Sequence, residues 1–595
     1  MYVFELENIV TQEPPETPFK VVLIDIQRAA KQRELHCVET PLASSSQLTP
    51  FVALSYRWGE LPEMLVDTSQ DYMASVMSFH LTDLFDLCAL MAQEPDLKTI
   101  PYLWLDAICV DQVNPVRRKA TIYQMTAIYE QAAYIVAVPD LHREYLATSL
   151  VNSSRIISLI ATYRHMIYCL IIQKEGMAAT ELDQQWMDSI GIPKGNLERR
   201  QWFMDTCFSK KIRCRPTATD MGDESVDAWW VRQVEEDDWK QQISQRGSDI
   251  SQAMTFLTQL IVDWSSRVWV ISEYQLAKKK PSGKMKYWFM LLGYSYFLGE
   301  PFFEFHFDAT TRDANVGENK GTYAFQVDQS VRLFHNAMVR QLKEQSFLEM
   351  ILGSKASKNE DRFYSILPLS EYRHQLISAT DQKKKSIDQW HITTIVTVKV
   401  KLFEFMKALD QLTLLFLSFQ QYTLILPSFA TADVAWARLT EFQQYDHTNF
   451  DFSKPDQIVA LSQRQLNNGS NGDKADVLSL QPKMYYRLHY NDESIQLITG
   501  VAPEDKQQQQ LWHRLGLDTV HDRSWDMVCI PNDYGPAAIN DPALEDMTKL
   551  LLLGNAEKNK WILYTTYSVN YWWQYNPSAW KTYDNQSTGT VFAIY

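Results

Sequence analysis

Three short stretches of this chain carry reactive side chains at spacings that core packing alone does not demand. Ser55-Tyr56-Arg57-Trp58-Gly59 sets a hydroxyl, a guanidinium and an indole close together. Trp104-Leu105-Asp106-Ala107-Ile108-Cys109-Val110-Asp111-Gln112 places two carboxylates on either side of a thiol. In Arg267-Val268-Trp269-Val270-Ile271-Ser272-Glu273, Trp269 and Glu273 are at i and i+4, which is one face of a helix. Arginine suits bidentate contact with an anion, and an indole suits stacking on a base or ring. An aromatic platform beside a carboxylate can bind a ribosyl ring while the carboxylate polarises a hydroxyl or acts as nucleophile. Asp106 is suited to hold an arginine or a ribose hydroxyl. Each stretch also has a plainer reading: Trp58 closing the core, Arg57 as a surface charge, Arg267 and Glu273 as a structural ion pair. Cys109, between Ile108 and Val110, reads as an inert core thiol rather than a nucleophile.

The first two stretches close apolar runs, 51–54 and 100–105, that read as buried strands. Ligands of an open α/β sheet sit outside the carboxyl ends of such strands, and Gly59 lets the backbone turn there. A further strand is expected over 20–26. Leu81, Leu84, Phe85 and Cys88 follow the helical period, extended by Met91. A helix over 117–131 follows Pro115, and a strand over 134–138 stops at Pro139. Strands alternating with helices at this rhythm predict a mostly parallel sheet with flanking helices. An acidic insertion over 216–247 interrupts it, and one helix is expected from 251 to 277, with the lysines from Lys278 suiting its C-terminus. Helices are expected over 327–352 and 400–419, and a loop over 467–476. Short β-like runs follow at 485–490, 494–500, 525–530, 561–567 and 590–595, whereas the glutamine run 507–510 predicts nothing. The expected organisation is an α/β domain over 1–295, a mainly helical region over 296–475 and a smaller β-rich C-terminal domain over 476–595.

Composition narrows the function classes. A chain of 595 residues exceeds a single ordinary core, and 46% hydrophobic with 22% charged residues is globular in character. A formal net charge of −15 argues against nucleic acid or an anionic membrane surface as partner. Seven scattered cysteines predict no disulfide framework and fit a reducing, cytoplasmic setting. With no Cys-x-x-Cys pair and no His-x-x-x-His spacing, no metal site is expected. The first 17 residues do not read as a signal peptide. The apolar runs 156–172 and 412–426 are interrupted by polar residues and read as core helices, not membrane spans.

Taken in order, the three stretches resemble the heterokaryon-incompatibility (HET) domain family of fungi. So do the segment from Met125 to Tyr129 with Ala132, and the downstream Asp361-Arg362-Phe363-Tyr364-Ser365-Ile366-Leu367. The resemblance extends well over 20–295 and loosely to 430. It implies a domain that triggers growth arrest and cell death when incompatible cells fuse. It also implies a distant kinship to TIR domains, with their flavodoxin-like sheet and, in some, NAD cleavage by a helix-borne glutamate. On that basis Glu273 is the catalytic candidate and NAD the candidate substrate. Ser55, Arg57, Trp58, Asp106, Arg267 and Trp269 are the ligand-binding candidates, with Asp106 orienting an arginine. Val270 and Ser272 depart from the family's Trp-Thr-x-Gln-Glu pattern. No phosphate-cradling Gly-x-x-x-x-Gly-Lys-Ser/Thr segment occurs. Three readings stay open: a non-self-recognition and cell-death protein, an NAD glycohydrolase, and a non-catalytic module that signals through other proteins or self-association.

Overall fold

The computed structural model describes residues 19–42, 49–59, 61–149, 153–172, 185–186, 238–278, 285–293, 302–304, 325–342, 345–377, 387–418, 426–431, 434, 448–466, 474–490, 506–517, 525–532, 549–564, 581–585 and 589–595. The chain forms two compact units, Met1–Gln345 and Ser346–Tyr595. The helices after residue 345 and the C-terminal strands belong to the same unit.

The first unit opens with β1 (Lys20–Asp25), α1 (Ile26–Gln32), β2 (Cys37–Pro41) and β3 (Phe51–Tyr56). A hairpin of β4 (Met64–Asp67) and β5 (Met73–Val76) leads to α2 (Leu81–Met91), β6 (Tyr102–Trp104) and the short α3 (Asp106–Cys109). Then come α4 (Pro115–Gln131), β7 (Tyr134–Val138), α5 (Arg143–Ser149) and α6 (Ser153–Ile172). After an undescribed stretch follow α7 (Asp238–Ser265), α8 (Val268–Lys278), β8 (Met285–Tyr287), β9 (Phe303–Glu304) and α9 (Phe325–Leu342). Every residue of β3 is buried, as expected of a central strand covered on both faces. Pro115 begins α4, and the Asn114 side chain accepts from the Val116 and Arg117 N–H groups, supplying the partners that a helix start lacks.

The seven strands of the first sheet lie in the order β2-β1-β6-β3-β7-β8-β9. The pairs β6–β3, β3–β7 and β7–β8 are parallel, while the pairs involving β1, β2 and β9 are antiparallel. The parallel centre was expected; its antiparallel borders add partners on both sides. Within that centre the chain runs from β3 outward to β6, then returns to β7 on the other side of β3. The direction of winding therefore reverses between β3 and β7, and the crevice beyond their carboxyl ends is where such sheets bind ligands.

The expected helix over 251–277 begins earlier, at Asp238, and divides at Ser266 and Arg267 into α7 and α8. The Arg267 carbonyl accepts the Ile271 N–H, so Arg267 stands at the entrance of α8 rather than mid-helix. Residues 238–247 of the expected acidic insertion are helical, and 216–237 lie outside the described residues. Helix α6 contains the one segment among the described residues, Ser154–Ile172, that is long and apolar enough to cross a membrane by length and composition. It packs along α7 and α5, burying Ile160, Ile167 and Ile171.

In the second unit, the region 327–352 of the sequence reading reaches across the unit boundary as two helices, α9 and α10 (Phe347–Gly353). A capping box between Ser346 and Glu349 starts α10 afresh. α11 (Glu360–Ile366) follows, and the expected helix over 400–419 resolves into α12 (Ile395–Phe405) and α13 (Ala408–Leu417). An eight-stranded sheet then takes the order β10-β11-β17-β15-β14-β13-β12-β16. Its strands are β10 (Val459–Gln465), β11 (Lys474–Leu480), β12 (Met484–Tyr490), β13 (Trp525–Pro531), β14 (Lys549–Asn555), β15 (Lys560–Leu563), β16 (Lys581–Asp584) and β17 (Phe592–Ile594). The glutamine run falls inside α14 (Lys506–Leu515), which sends Leu511, Trp512 and Leu515 into the core of this sheet. The expected β-like run 494–500 lies outside the described residues.

Candidate functional site

Strand β3 delivers the first motif to the crevice with alternating directions. Ser55 points into the core and is fully buried, while Arg57 and Trp58 are half-buried beyond the strand's end. Gly59 has φ +96°, a conformation that side chains disfavour, and its N–H donates to Ser78 Oγ at 2.8 Å. The turn expected at Gly59 is thus present and anchored.

Asp106 starts α3, immediately past β6. One carboxylate oxygen accepts the Tyr56 hydroxyl at 2.6 Å and the other accepts Trp58 Nε1–H at 2.7 Å. Burial raises its pKa above the usual carboxylate range and so weakens it as an acid, while these two hydrogen bonds and the nearby Arg267 charge pull the pKa back down. Asp106 therefore orients a phenol and an indole. The arginine expected as its hydrogen-bond partner acts on it only through charge, and Arg57 instead pairs with Asp263 at 2.8 Å. Replacing Asp106 by Ala strands the buried Tyr56 hydroxyl and frees Trp58. We expect a loss of about 2 kcal/mol in denaturant unfolding of the full chain, with less than half of that for Asp106→Asn.

Glu273 lies in the first turns of α8 and is buried. The hydroxyls of Ser55 and Tyr129 hydrogen-bond its carboxyl group, whereas Oε2 is enclosed without a partner. Burial raises the group to about 7, against the two hydrogen bonds and the Arg267 charge. The Tyr129 hydroxyl also lies 3.1 Å from the Leu54 carbonyl. A phenol has one proton for these two acceptors, and the count closes when Glu273 is the neutral acid donating to Tyr129. Ser55 meanwhile accepts Trp264 Nε1–H at 3.1 Å. Trp264, Ser55, Glu273 and Tyr129 are thus one continuous network under the end of β3.

Arg267 reaches the Tyr56 carbonyl with Nη1 at 3.4 Å and acts through charge on both Asp106 and Glu273. Trp269 is half-buried one turn before Glu273. Ser55, Asp106, Arg267 and Glu273 are therefore gathered around Tyr56 and Tyr129, and Arg57 sits on the neighbouring side, between Asp263 and His142. Cys109 is buried, its Sγ taking the Leu105 N–H at 3.4 Å, and burial pushes the thiol well above its usual range. It is the inert core residue expected.

Several participants escaped the sequence reading. Asp140, just past β7, is fully buried and accepts the Met290 and Leu291 N–H groups, each at 2.9 Å. Burial pushes its carboxyl up to about 6. This contact fixes the loop after β7 to the segment after β8. His142, Asp263 and Trp264 were likewise missed; the only local signal was an aspartate and a histidine directly after a strand-ending proline.

The comparisons with known proteins bear on the same region. No curated protein and no solved structure matches this chain. The family model described as Heterokaryon incompatibility protein (HET) matches residues 51–204. That span includes Ser55, Arg57, Trp58, Asp106, Tyr129 and His142, and ends before Arg267, Trp269 and Glu273. The ends of β3, β6 and β7 that build the crevice thus lie within the span that the heterokaryon-incompatibility (HET) model matches.

Proposed function

We propose that this chain is a non-self-recognition protein of the heterokaryon-incompatibility type, whose first unit triggers cell death when engaged by a protein partner or by copies of itself in the cytoplasm. The observation that carries this reading is the coincidence of the HET match with the polar crevice between β3 and β7. Regulated expression of the full chain in a fungal host tests it. Growth arrest is expected on induction, and loss of arrest is expected in an Asp106→Ala variant that accumulates to the same level. Undisturbed growth with abundant folded protein, with or without an incompatible partner strain, counts against it.

A second reading, NAD glycohydrolysis, is favoured by the enclosed and unpartnered Oε2 of Glu273. Buried groups with strongly shifted acidity and an unused polar atom concentrate at functional sites. In this reading water and NAD give nicotinamide, ADP-ribose and a proton. Glu273 engages the ribose, Trp58 or Trp269 stacks on a ring, and Arg57 or Arg267 meets phosphate. Glu273 must ionise to support positive charge developing at the ribose, and Arg267 favours that form. The third reading, a non-catalytic module, is favoured by Glu273 and Ser55 being buried and bonded to each other. Nicotinamide release by the full chain, dilute and crowded, separates the two. Release that falls to background in Glu273→Ala supports the enzyme, and silence from parent protein that is folded and concentrated supports the module.

A further inference from the structure

Arg57 stands just past the end of the central strand β3, and one of its contacts is with a histidine. Asp263 of α7 takes Arg57 Nε at 2.8 Å, which already supplies a counter-charge. Arg57 Nη1 also lies 3.2 Å from His142 Nε2. A guanidinium has donors only, so Nε2 must carry the lone pair and the proton must reside on Nδ1. That assignment follows from the partner rather than from any observed hydrogen. Burial and the charges of Arg57 and Arg267 lower the imidazole to about 4, in keeping with a neutral ring.

The ring is fixed before it meets Arg57. Asp140 pins the preceding residues to the Met290 and Leu291 amides. The His142 carbonyl accepts the Leu146 N–H at 3.3 Å, at the beginning of α5. The ring packs against Tyr145 with centroids 6.3 Å apart. His142 is 1% exposed, and its Nδ1 is enclosed with no hydrogen-bond partner. Leaving that donor unpaired works against folding. A phenyl ring would fill the same space without the penalty, so stability alone does not account for an imidazole here.

We infer that His142 is a positioning residue: the rigid loop after β7 uses its neutral imidazole to fix the direction of the Arg57 guanidinium at the mouth of β3. Asp263 supplies the counter-charge, and His142 supplies the second point that sets orientation. The inference goes beyond the function proposed above by assigning a role to a residue from the strand on the other side of the crevice. Its bearing on ligand binding rests on the NAD reading, but its geometry does not.

The test is phenylglyoxal modification of Arg57 in the full chain, followed by peptide mass spectrometry, for the parent, His142→Phe and His142→Gln. Phe keeps the ring and removes the acceptor, while Gln restores an acceptor oxygen. We expect Arg57 to react roughly tenfold faster in His142→Phe and at close to the parental rate in His142→Gln. Thermal stability of the Phe variant should equal or exceed that of the parent, an outcome that a merely structural histidine would not give. Equal Arg57 rates in all three proteins overturn the inference. Should His142→Phe fail to fold, the histidine nitrogen resonances of the parent decide: a protonated Nε2 overturns the assignment, and an unprotonated Nε2 with protonated Nδ1 upholds it. NAD serves as the ligand probe in a parallel titration, with weaker binding expected for His142→Phe and Arg57→Ala alike. If NAD binds neither the parent nor the variants, the NAD reading fails, and the modification rates still decide the role of His142.

Discussion

A Glu273→Gln variant is expected to be more stable than the parent at about pH 8, by about 3 kcal/mol, and to lose that advantage in acid. Burial raises the Glu273 carboxyl from 4.5 to about 7 in the folded chain. A raised carboxyl means that the native state holds the proton more tightly than the unfolded state does. Its contribution is fully present below 4.5 and is lost as pH rises through about 7. Above that range the parent must either bury a charge or protonate Glu273 against the solvent, and the amide does neither. Gln keeps both roles, an amide N–H to donate to Tyr129 and a carbonyl oxygen to accept from Ser55, so the network survives. Asp140, raised to about 6, and His142, lowered to about 4, shape the parent's pH curve in opposite directions. Both are common to the two proteins and cancel in the difference, which is why paired unfolding curves across pH are the measurement. A difference independent of pH would mean that Glu273 does not titrate in this range. Should the amide variant gain stability and lose function together, the buried acid would be retained for activity at the expense of stability.

Arg362→Ala is expected to destabilise the unit Ser346–Tyr595 by about 4 kcal/mol. The Arg362 guanidinium is buried and meets only neutral acceptors. Its Nη1 lies 2.8 Å from the Ile351 carbonyl, 2.7 Å from the Ser354 carbonyl and 3.0 Å from Ser354 Oγ, while Nε donates to Asn359 at 3.2 Å. Those carbonyls belong to the end of α10, where backbone acceptors lack partners in the helix and carry partial negative charge. The arginine is a cap delivered from the next helix. Removing it leaves several buried acceptors unpaired together. Arg362→Lys should recover less than half of the loss, because a single ammonium cannot reach both Asn359 and the end of α10. Denaturant unfolding followed by hydrogen exchange within 346–377 would locate the effect. Stability within 1 kcal/mol of the parent would contradict the capping role. Asp361-Arg362-Phe363-Tyr364, which resembles a stretch common after HET domains, therefore owes at least its arginine to architecture rather than chemistry.

What the sequence determined by itself is local. Alternation and apolar runs mark β3, β6 and β7, and the helical period marks α2 and α4, because burial of one face imposes a pattern on neighbouring residues. The motifs at the ends of β3 and β6 were legible as site candidates for the same reason: polar groups at the end of a buried run have no packing purpose. Elements defined by distant partners were not legible. β8 has only three residues, Met285–Tyr287, and becomes a strand by lying beside β7, while the run Gln507–Gln510 becomes helical where Leu511, Trp512 and Leu515 meet a sheet.

Tertiary structure alone decided which groups meet. Trp264 and Ser55 are 209 positions apart, and Arg57 and His142 are 85 apart. No periodicity spans such separations, and hydrogen-bond partnership leaves no mark on composition. It also decided how Glu273 is held: its carboxyl raised to about 7 by burial, bonded to Ser55 and Tyr129, with one oxygen to spare. The sequence could nominate that carboxylate, but its protonation depends on what surrounds it, and those surroundings exist only once β3, α4 and α8 have packed together.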